Sequence, residues 1–397
     1  MNIGIYGGTF DPPHRGHIAA AKAAMSALHL DRLLLIPDAV PPHKALPEGS
    51  PTAQQRCDMA VLATAELGRQ AEASDMELRR AGVSYTADTL AQLRRQYPED
   101  ELYLLMGTDM FLSLQSWRQP ERIAALAHIA PFRREREDDP AAFAAQKERL
   151  ERDYGASVTV VPNPDVVDIS STEVRAALAQ GGGEDMLPPA VWGYICRERL
   201  YGTHTDLKHL TPDELRPVAL SYLKPKRMPH VLGTEQEAVR LTRRYGGDET
   251  QARIAALLHD CTKKLELPEQ LALCKQYGIE LDELEQKALK LLHSKTGAAI
   301  ARSVFGVEDA VYDAIWYHTT GKPDMTRLEK ILYLADYIEP SRDFPGVEEL
   351  RRAVYEDLDH GLLLGLSMTI QEMEEMGNPV HHQTRDARDY LLKRGIR

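Results

Sequence analysis

With 397 residues, the chain is too long for one ordinary hydrophobic core, and two domains, or three, are expected. Hydrophobic residues make up 43% and charged residues 27%, so each half can bury the core of a soluble globular protein. The formal net charge of −12 argues against nucleic acid or an anionic membrane surface as a partner, while a local basic pocket for anionic small molecules stays compatible with it.

The first half alternates strand and helix. The apolar run NIGIYGG ends in glycines and is followed by the helical, alanine-rich HIAAAKAAMSALHL and the strand RLLLIP. TADTLAQLRRQY (helix), ELYLLMG (strand), RIAALA (helix) and SVTVVP (strand) come later. Such alternation predicts an α/β domain, a Rossmann-like parallel sheet with helices on its faces. Ligands of such sheets sit at the carboxyl ends of the strands. Segments GIYGGTFDPPHRGH, IPDAVPPHK, MGTDMF and VPNPDVVDISSTEVR all follow strands, so one crevice could collect them. The four cysteines, Cys57, Cys196, Cys261 and Cys274, show no paired spacing and read as reduced thiols. The N-terminus enters a strand without a basic leader, and no apolar run approaches the ~20 residues that span a bilayer. A cytoplasmic location is expected.

The glycine pair Gly7–Gly8, followed by a helix opening near His17, offers backbone N–H groups to an anion. His14 and His17 could turn their ring nitrogens to the same phosphate oxygens. Taken alone, the glycines are equally a tight turn and the histidines solvated loop residues. The segment from Ser170 to Glu173 fits a capping box, a helix start that needs no ligand. The same start offers N–H groups and the hydroxyls of Ser170, Ser171 and Thr172 to phosphate, with Arg175 one turn in.

The string GGTFDPPHRGH resembles the signature of the nucleotidylyltransferase superfamily, whose second hallmark is matched by ISSTEVR at Ile169 to Arg175. IPDAVPPHK, SYTADTL, MGTDMF and LQSWRQ are similar to bacterial nicotinate-mononucleotide adenylyltransferase, from Met1 to about Tyr201. That resemblance implies AMP transfer from ATP to nicotinate mononucleotide, giving nicotinate adenine dinucleotide and pyrophosphate, with Mg²⁺. It implies phosphate contacts from Gly7, Gly8, Thr9 and Phe10, and catalytic roles for His14, His17, Lys44 and Arg175. Thr86 and Trp117 would lie around the nicotinate ring, and Asp109 at the nucleotide end of the crevice. Where relatives carry an Arg-Pro-Gly-like loop this chain has IAPFRREREDD, so Arg133 and Arg134 match no motif. Another acceptor, such as phosphopantetheine or a sugar-alcohol phosphate, ranks lower because PPHK and Trp117 are present.

The polar stretch YGTHTDLKHLTP closes the first half, and domains over 1–203 and 211–397 are expected. Beyond it the pattern turns helical throughout: PDELRPVALSYL, TEQEAVRLTRRYG, ETQARIAALLHDCTKKL, PEQLALCKQYG, LEQKALKLLHSKTGAAIARSVFG, DAVYDAIWYH, RLEKILYLADYIE and VEELRRAVYEDLDHGLLLGLSMTIQEM. An all-α domain is predicted. His230, His259, Asp260, His293, His318 and Asp336 stand in apolar helical faces, where an unpaired carboxylate is costly to bury. A metal would remove that cost, and imidazole with carboxylate suits iron, manganese, nickel or zinc.

The order His…His-Asp…His…His…Asp resembles the HD-domain phosphohydrolases. LLHDCTKK, YHTTG and ILYLADYIEPSR look like the symmetric diadenosine tetraphosphatases, which split that dinucleotide into two ADP. The resemblance implies that these six residues hold two transition metals, iron first, with Asp260 bridging and catalytic. Lys263 would contact phosphate, and Arg342 is a weaker candidate. The resulting expectation is a bifunctional enzyme of NAD biosynthesis. The alternative gives the helical domain another nucleotide substrate, or only a regulatory role as a metal- and nucleotide-binding module. Whether the chain forms a homo-oligomer stays open.

Overall fold

A computed structural model describes residues 1–42, 45–80, 82–133, 139–163 and 165–396. The chain divides into two compact units, Met1–His204 and Thr205–Arg397. In the first unit, strands β1 (Asn2–Gly8), β2 (Arg32–Pro37), β3 (Ala71–Ala73), β4 (Glu101–Gly107) and β5 (His128–Phe132) form one sheet in the order β3-β2-β1-β4-β5. Every pairing is parallel.

The pleat sends alternate side chains to opposite faces. Ile3, Ile5, Leu34, Ile36, Leu102, Leu104 and Met106 share one core with Leu90 and Leu93 of helix Thr86–Gln96 and with Phe143 and Leu150 of helix Pro140–Tyr154. Helix Arg15–Ala27 packs on β1, and helix Ala53–Ala63 on β2 and β3. The segment SVTVVP, expected as a strand, makes only two isolated parallel bridges, Ile129–Val158 and Phe132–Val161. Its neighbour β5 contains Pro131, whose carbonyl accepts from Val161 N–H but which has no N–H to return.

Within the described residues of the second unit every regular element is helical. Several expected helix bounds move there, and two runs end or break early. The helix expected to run from Glu249 to Leu265 ends at Leu258, so His259 and Asp260 stand just beyond it. The long C-terminal run breaks at Asp357, whose extended backbone (φ −149°) and carboxylate, accepting from His360 N–H, start a second helix at Leu358. Among the described residues no helix is long and apolar enough to cross a membrane.

Candidate active sites

In the strand order, the connections reverse direction between β1 and β4, and in open parallel sheets ligands bind at such a point. The loop after β1 carries the first histidine pair. His14 is the N-cap of helix Arg15–Ala27 and His17 its third residue. The backbone N–H of His14 donates to His17 Nδ1 at 3.2 Å, and the ring centroids are 3.8 Å apart. With Nδ1 accepting, neutral His17 carries its proton on Nε2 and is a donor there. A Cβ on Gly16 would lie 3.0 Å from the His14 ring and from the Val167 carbonyl oxygen, so the glycine of HRGH permits this packing.

The ISSTEVR segment reaches the same loop. Ser170 and Glu173 form the expected capping box of helix Ser171–Ala179. The Ser171 hydroxyl donates to the Pro12 carbonyl at 3.1 Å. Arg175 donates through Nη1 to the Asp11 carbonyl at 2.7 Å and through Nη2 to Thr172 Oγ1 at 3.1 Å. Two strings more than 150 residues apart therefore meet at Asp11 and Pro12. The hydroxyls of Ser170 and Ser171 donate within the protein, to Glu173 and to Pro12. Gly7 and Gly8 end β1, Thr9 donates to Asp38 at 3.0 Å, and Phe10 is buried with a left-handed backbone (φ 50°).

Of the residues expected around the mononucleotide, Thr86 opens helix Thr86–Gln96, exposed Asp109 lies in the first turn after β4, and Trp117 packs against the core. The Arg118 guanidinium sits 4.4 Å from the Tyr85 ring centroid, which brings 117–118 beside 85–86. Lys44 and Arg134 lie outside the described residues; the Arg133 carbonyl accepts from Asn163 at 3.0 Å. Sequence reasoning overlooked Arg56. It is fully buried and donates to the Thr9 carbonyl, to Asp38 and to the Ala39 carbonyl, tying the ends of β1 and β2 together.

In the second unit the six expected residues converge. His230, His293 and Asp336 lie on helices Met228–Tyr245, Leu289–Phe305 and Arg327–Ile338, and His318 follows helix Asp309–Tyr317. Three overlapping groups have ligand atoms within 4.8 Å of one another: His230–His259–Asp260, His259–His318–Asp336 and Asp260–His293–His318. Asp260 belongs to two of them. His230 Nε2 lies 3.0 Å from Asp336, His293 Nε2 3.3 Å from Asp260, and the Nε2 atoms of His293 and His318 are 3.1 Å apart.

The outer ring nitrogens explain this orientation. His259 Nδ1–H donates to the Ala256 carbonyl at 2.6 Å, and His318 Nδ1–H to the Ile315 carbonyl at 2.7 Å. Each histidine thereby satisfies a carbonyl of the last helical turn and turns an Nε2 lone pair inward. His230 Nδ1 is 2.9 Å from Glu339 Oε1, a buried carboxylate that the sequence reading missed. These tautomers are the reverse of that at His17.

Burial pushes His259, His293 and His318 towards the neutral form, whereas at His230 burial is outweighed by the contacts with Asp336 and Glu339, which favour the proton. Burial would raise Asp260, but His259, His293 and Lys263 outweigh it and hold the carboxylate well below its ordinary range. Asp336 is likewise depressed, with His230, His259 and Arg342 overcoming its burial. Neutral imidazoles and ionised carboxylates are the forms that bind metals, and His259 Nε2 is buried with no hydrogen-bond partner. The residues therefore fit divalent cations. Three cations border the cluster: Arg227 is 2.5 Å from Asp260, Arg342 2.5 Å from Asp336, and Lys263 Nζ 3.0 Å from His293 Nε2. Arg227, one turn before His230 in KRMPH, was not anticipated. A fourth group, Asp282–His381–His382, fits a metal poorly. His381 Nδ1 accepts from Gln383 N–H, which keeps the proton on the Nε2 that faces Asp282 and Glu285.

The cytidylyltransferase-like family model matches residues 5–177, and the HD domain model matches residues 227–341. The chain is 40% identical over 215 residues to a "Probable nicotinate-nucleotide adenylyltransferase" of Shewanella sp. (strain ANA-3), covering 51% of this chain and 99% of the relative. A protein of the same name from Shewanella baltica (strain OS223) is 38% identical over 221 residues, with the same coverage. A crystal structure of a "predicted HD superfamily hydrolase involved in NAD metabolism" from Clostridium acetobutylicum is 42% identical. It covers 47% of this chain and 98% of its own, with a TM-score of 0.45. Through its first half the chain belongs to the nicotinate-nucleotide adenylyltransferase family, and the same polypeptide continues into an HD domain.

Proposed function

We propose that the first unit transfers AMP from ATP to nicotinate mononucleotide and that the second is a metal-dependent phosphohydrolase acting on a nucleotide. The observation that carries the first part is the meeting of the TFDPPHRGH loop and the ISSTEVR helix at Asp11 and Pro12. The acceptor phosphate is already an anion, so attack on the α-phosphate needs no general base. Catalysis reduces to alignment and neutralisation of charge as pyrophosphate leaves. His17 Nε2–H and Arg175 supply donors, the helix start at His14 supplies backbone N–H groups, and ATP enters as its Mg²⁺ complex. Lys44 is assigned a phosphate contact by its motif. Thr86 and Trp117 would frame the nicotinate ring, with Asp109 at the nucleotide end.

In the second unit, His230, His259, Asp260, His293, His318 and Asp336 would hold two transition metals, iron, manganese, nickel or zinc by ligand chemistry and iron first by the family resemblance. When bound, such a pair supplies Lewis acidity and lowers the pKa of water. Arg227, Lys263 and Arg342 border the cluster and would take up phosphate charge. Diadenosine tetraphosphate is the substrate proposed from the YHTTG and ADYIEPSR motifs; water would add across its central bridge to give two ADP. These cations recognise phosphate rather than a base, which equally favours another nucleotide substrate.

Purified protein is incubated with ATP and nicotinate mononucleotide, then with diadenosine tetraphosphate and single divalent metals, and products are separated by chromatography. Nicotinate adenine dinucleotide and two ADP are expected. ATP plus AMP would refute symmetric cleavage, and no hydrolysis of any nucleotide with any metal would leave the regulatory role.

A further inference from the structure

A buried carboxylate stands in the loop that carries the first histidine pair. Asp11, of the TFD run, is only 2% exposed. Its Oδ1 accepts from the Tyr201 phenol at 2.7 Å and its Oδ2 from the Ser50 hydroxyl at 3.0 Å. Tyr201 comes from the end of the first unit, 190 residues away in sequence. It holds a left-handed backbone (φ 55°), as does Arg199 (φ 53°), a conformation that side chains other than glycine adopt at a cost. The Thr203 hydroxyl, bonded to the Ile195 and Leu200 carbonyls, fixes this turn. Strain of this kind persists where a side chain must reach one particular partner.

Among the described residues, Arg175 is the cation paired with Asp11. Its Nη1 lies 3.7 Å from Asp11 Oδ2, but it donates to the Asp11 backbone carbonyl instead. Tyr201 and Ser50 thus share the carboxylate with the guanidinium, and the Arg175–Asp11 ion pair stays long, without a direct side-chain hydrogen bond. Burial and the neighbouring Asp11 push the Tyr201 phenol up, so it stays protonated and serves only as a donor.

We infer that Tyr201 is a positioning residue for adenylyl transfer: by occupying Asp11 it leaves Arg175 available to the phosphates of ATP. The inference rests on the adenylyltransferase reading of the first unit. Removing one donor to a buried carboxylate leaves that group under-satisfied, and its remaining attraction falls on Arg175.

The test uses the 397-residue chain. Tyr201→Phe should lower kcat for nicotinate adenine dinucleotide formation about tenfold and weaken ATP binding by titration calorimetry. KM for nicotinate mononucleotide should stay at the wild-type value. Ser50→Ala, which removes the other donor without touching the left-handed turn, should shift both quantities in the same direction. In an Asp11→Asn background Tyr201→Phe should add less than twofold, because its target is no longer a carboxylate. Wild-type kcat and ATP affinity in Tyr201→Phe would overturn the inference, as would full additivity with Asp11→Asn. If the wild type makes no dinucleotide, the adenylyltransferase reading fails, and the ratio of ATP affinities still decides the role of Tyr201.

Discussion

Gly233 lies inside helix Met228–Tyr245, where alanine would ordinarily be the better residue. By helix propensity alone, Gly233→Ala should stabilise the second unit by about 0.5–1 kcal/mol. The structure predicts a harmful result for the metal site. A Cβ at position 233 would stand 2.5 Å from Glu339 Oε2 and 3.3 Å from its Cδ. That oxygen cannot swing aside freely, because it accepts from Ser341 N–H at 2.7 Å while Oε1 holds His230 Nδ1 at 2.9 Å. Relief of the overlap takes a shift of roughly 0.5 Å, enough to stretch the His230 contact beyond good hydrogen-bond length. Loss of such an outer partner typically weakens metal binding 10–100-fold, or about 1.4–2.8 kcal/mol. Titration of the apoprotein with Mn²⁺ or Fe²⁺ against a competing chelator reads the affinity, and thermal melting without metal reads the helix. Formation of nicotinate adenine dinucleotide, catalysed in the other unit, reports the amount of folded protein. A variant with a higher melting temperature and wild-type metal affinity would refute the reasoning about Glu339.

Asp260→Ala should abolish nucleotide hydrolysis and lower bound transition metal, measured by elemental analysis, while adenylyl transfer continues, because Asp260 belongs to two of the three ligand groups. His17→Ala should lower kcat for adenylyl transfer more than it raises KM for either substrate, and steady-state kinetics showing a change in KM alone would contradict its donor role. His381 has its pKa pushed down, first by burial and then by His382, against the pull of Glu285 and Asp282. The unfolded chain therefore binds this proton more readily, so its contribution to stability is present above about pH 6.5 and is lost as pH falls towards the lowered folded value. His381→Asn, which can still cap helix His382–Lys393, should lessen the fall in melting temperature between pH 7.5 and pH 5; an unchanged fall would refute it.

The alternating pattern made the sheet legible, because β1, β2 and β4 are apolar runs placed between helical ones. Ala71–Ala73 was not legible: this edge strand buries none of its three residues and carries no hydrophobic signature. The clustered histidines stood out through residue type and motif, and the helical run DAVYDAIWYH stops at His318 as the structure does, but the helix end at His259 was not foreseen. Periodicity cannot register an imidazole that caps the carbonyl behind it. Arg56, Glu339 and Tyr201 were invisible for a different reason. Each acts on residues far away in the chain, and no local pattern records which distant backbone or ring a side chain will meet. Arg227 could have been noticed, since it lies one turn before His230 at the end of the basic run KPKR.

At His259 and His318 the proton that caps a helix and the lone pair that faces the cluster belong to one ring. Fraying of the last turn at Ala256 or Ile315 would release the imidazole, and a ligand held at Nε2 would oppose that fraying. Metal loading and local opening of these two helix ends are therefore linked equilibria, and a cation that binds only the closed form must slow the opening. Amide hydrogen exchange across residues 255–262 and 315–321 consequently becomes a gauge of occupancy that requires no turnover, no chromophore and no knowledge of the substrate.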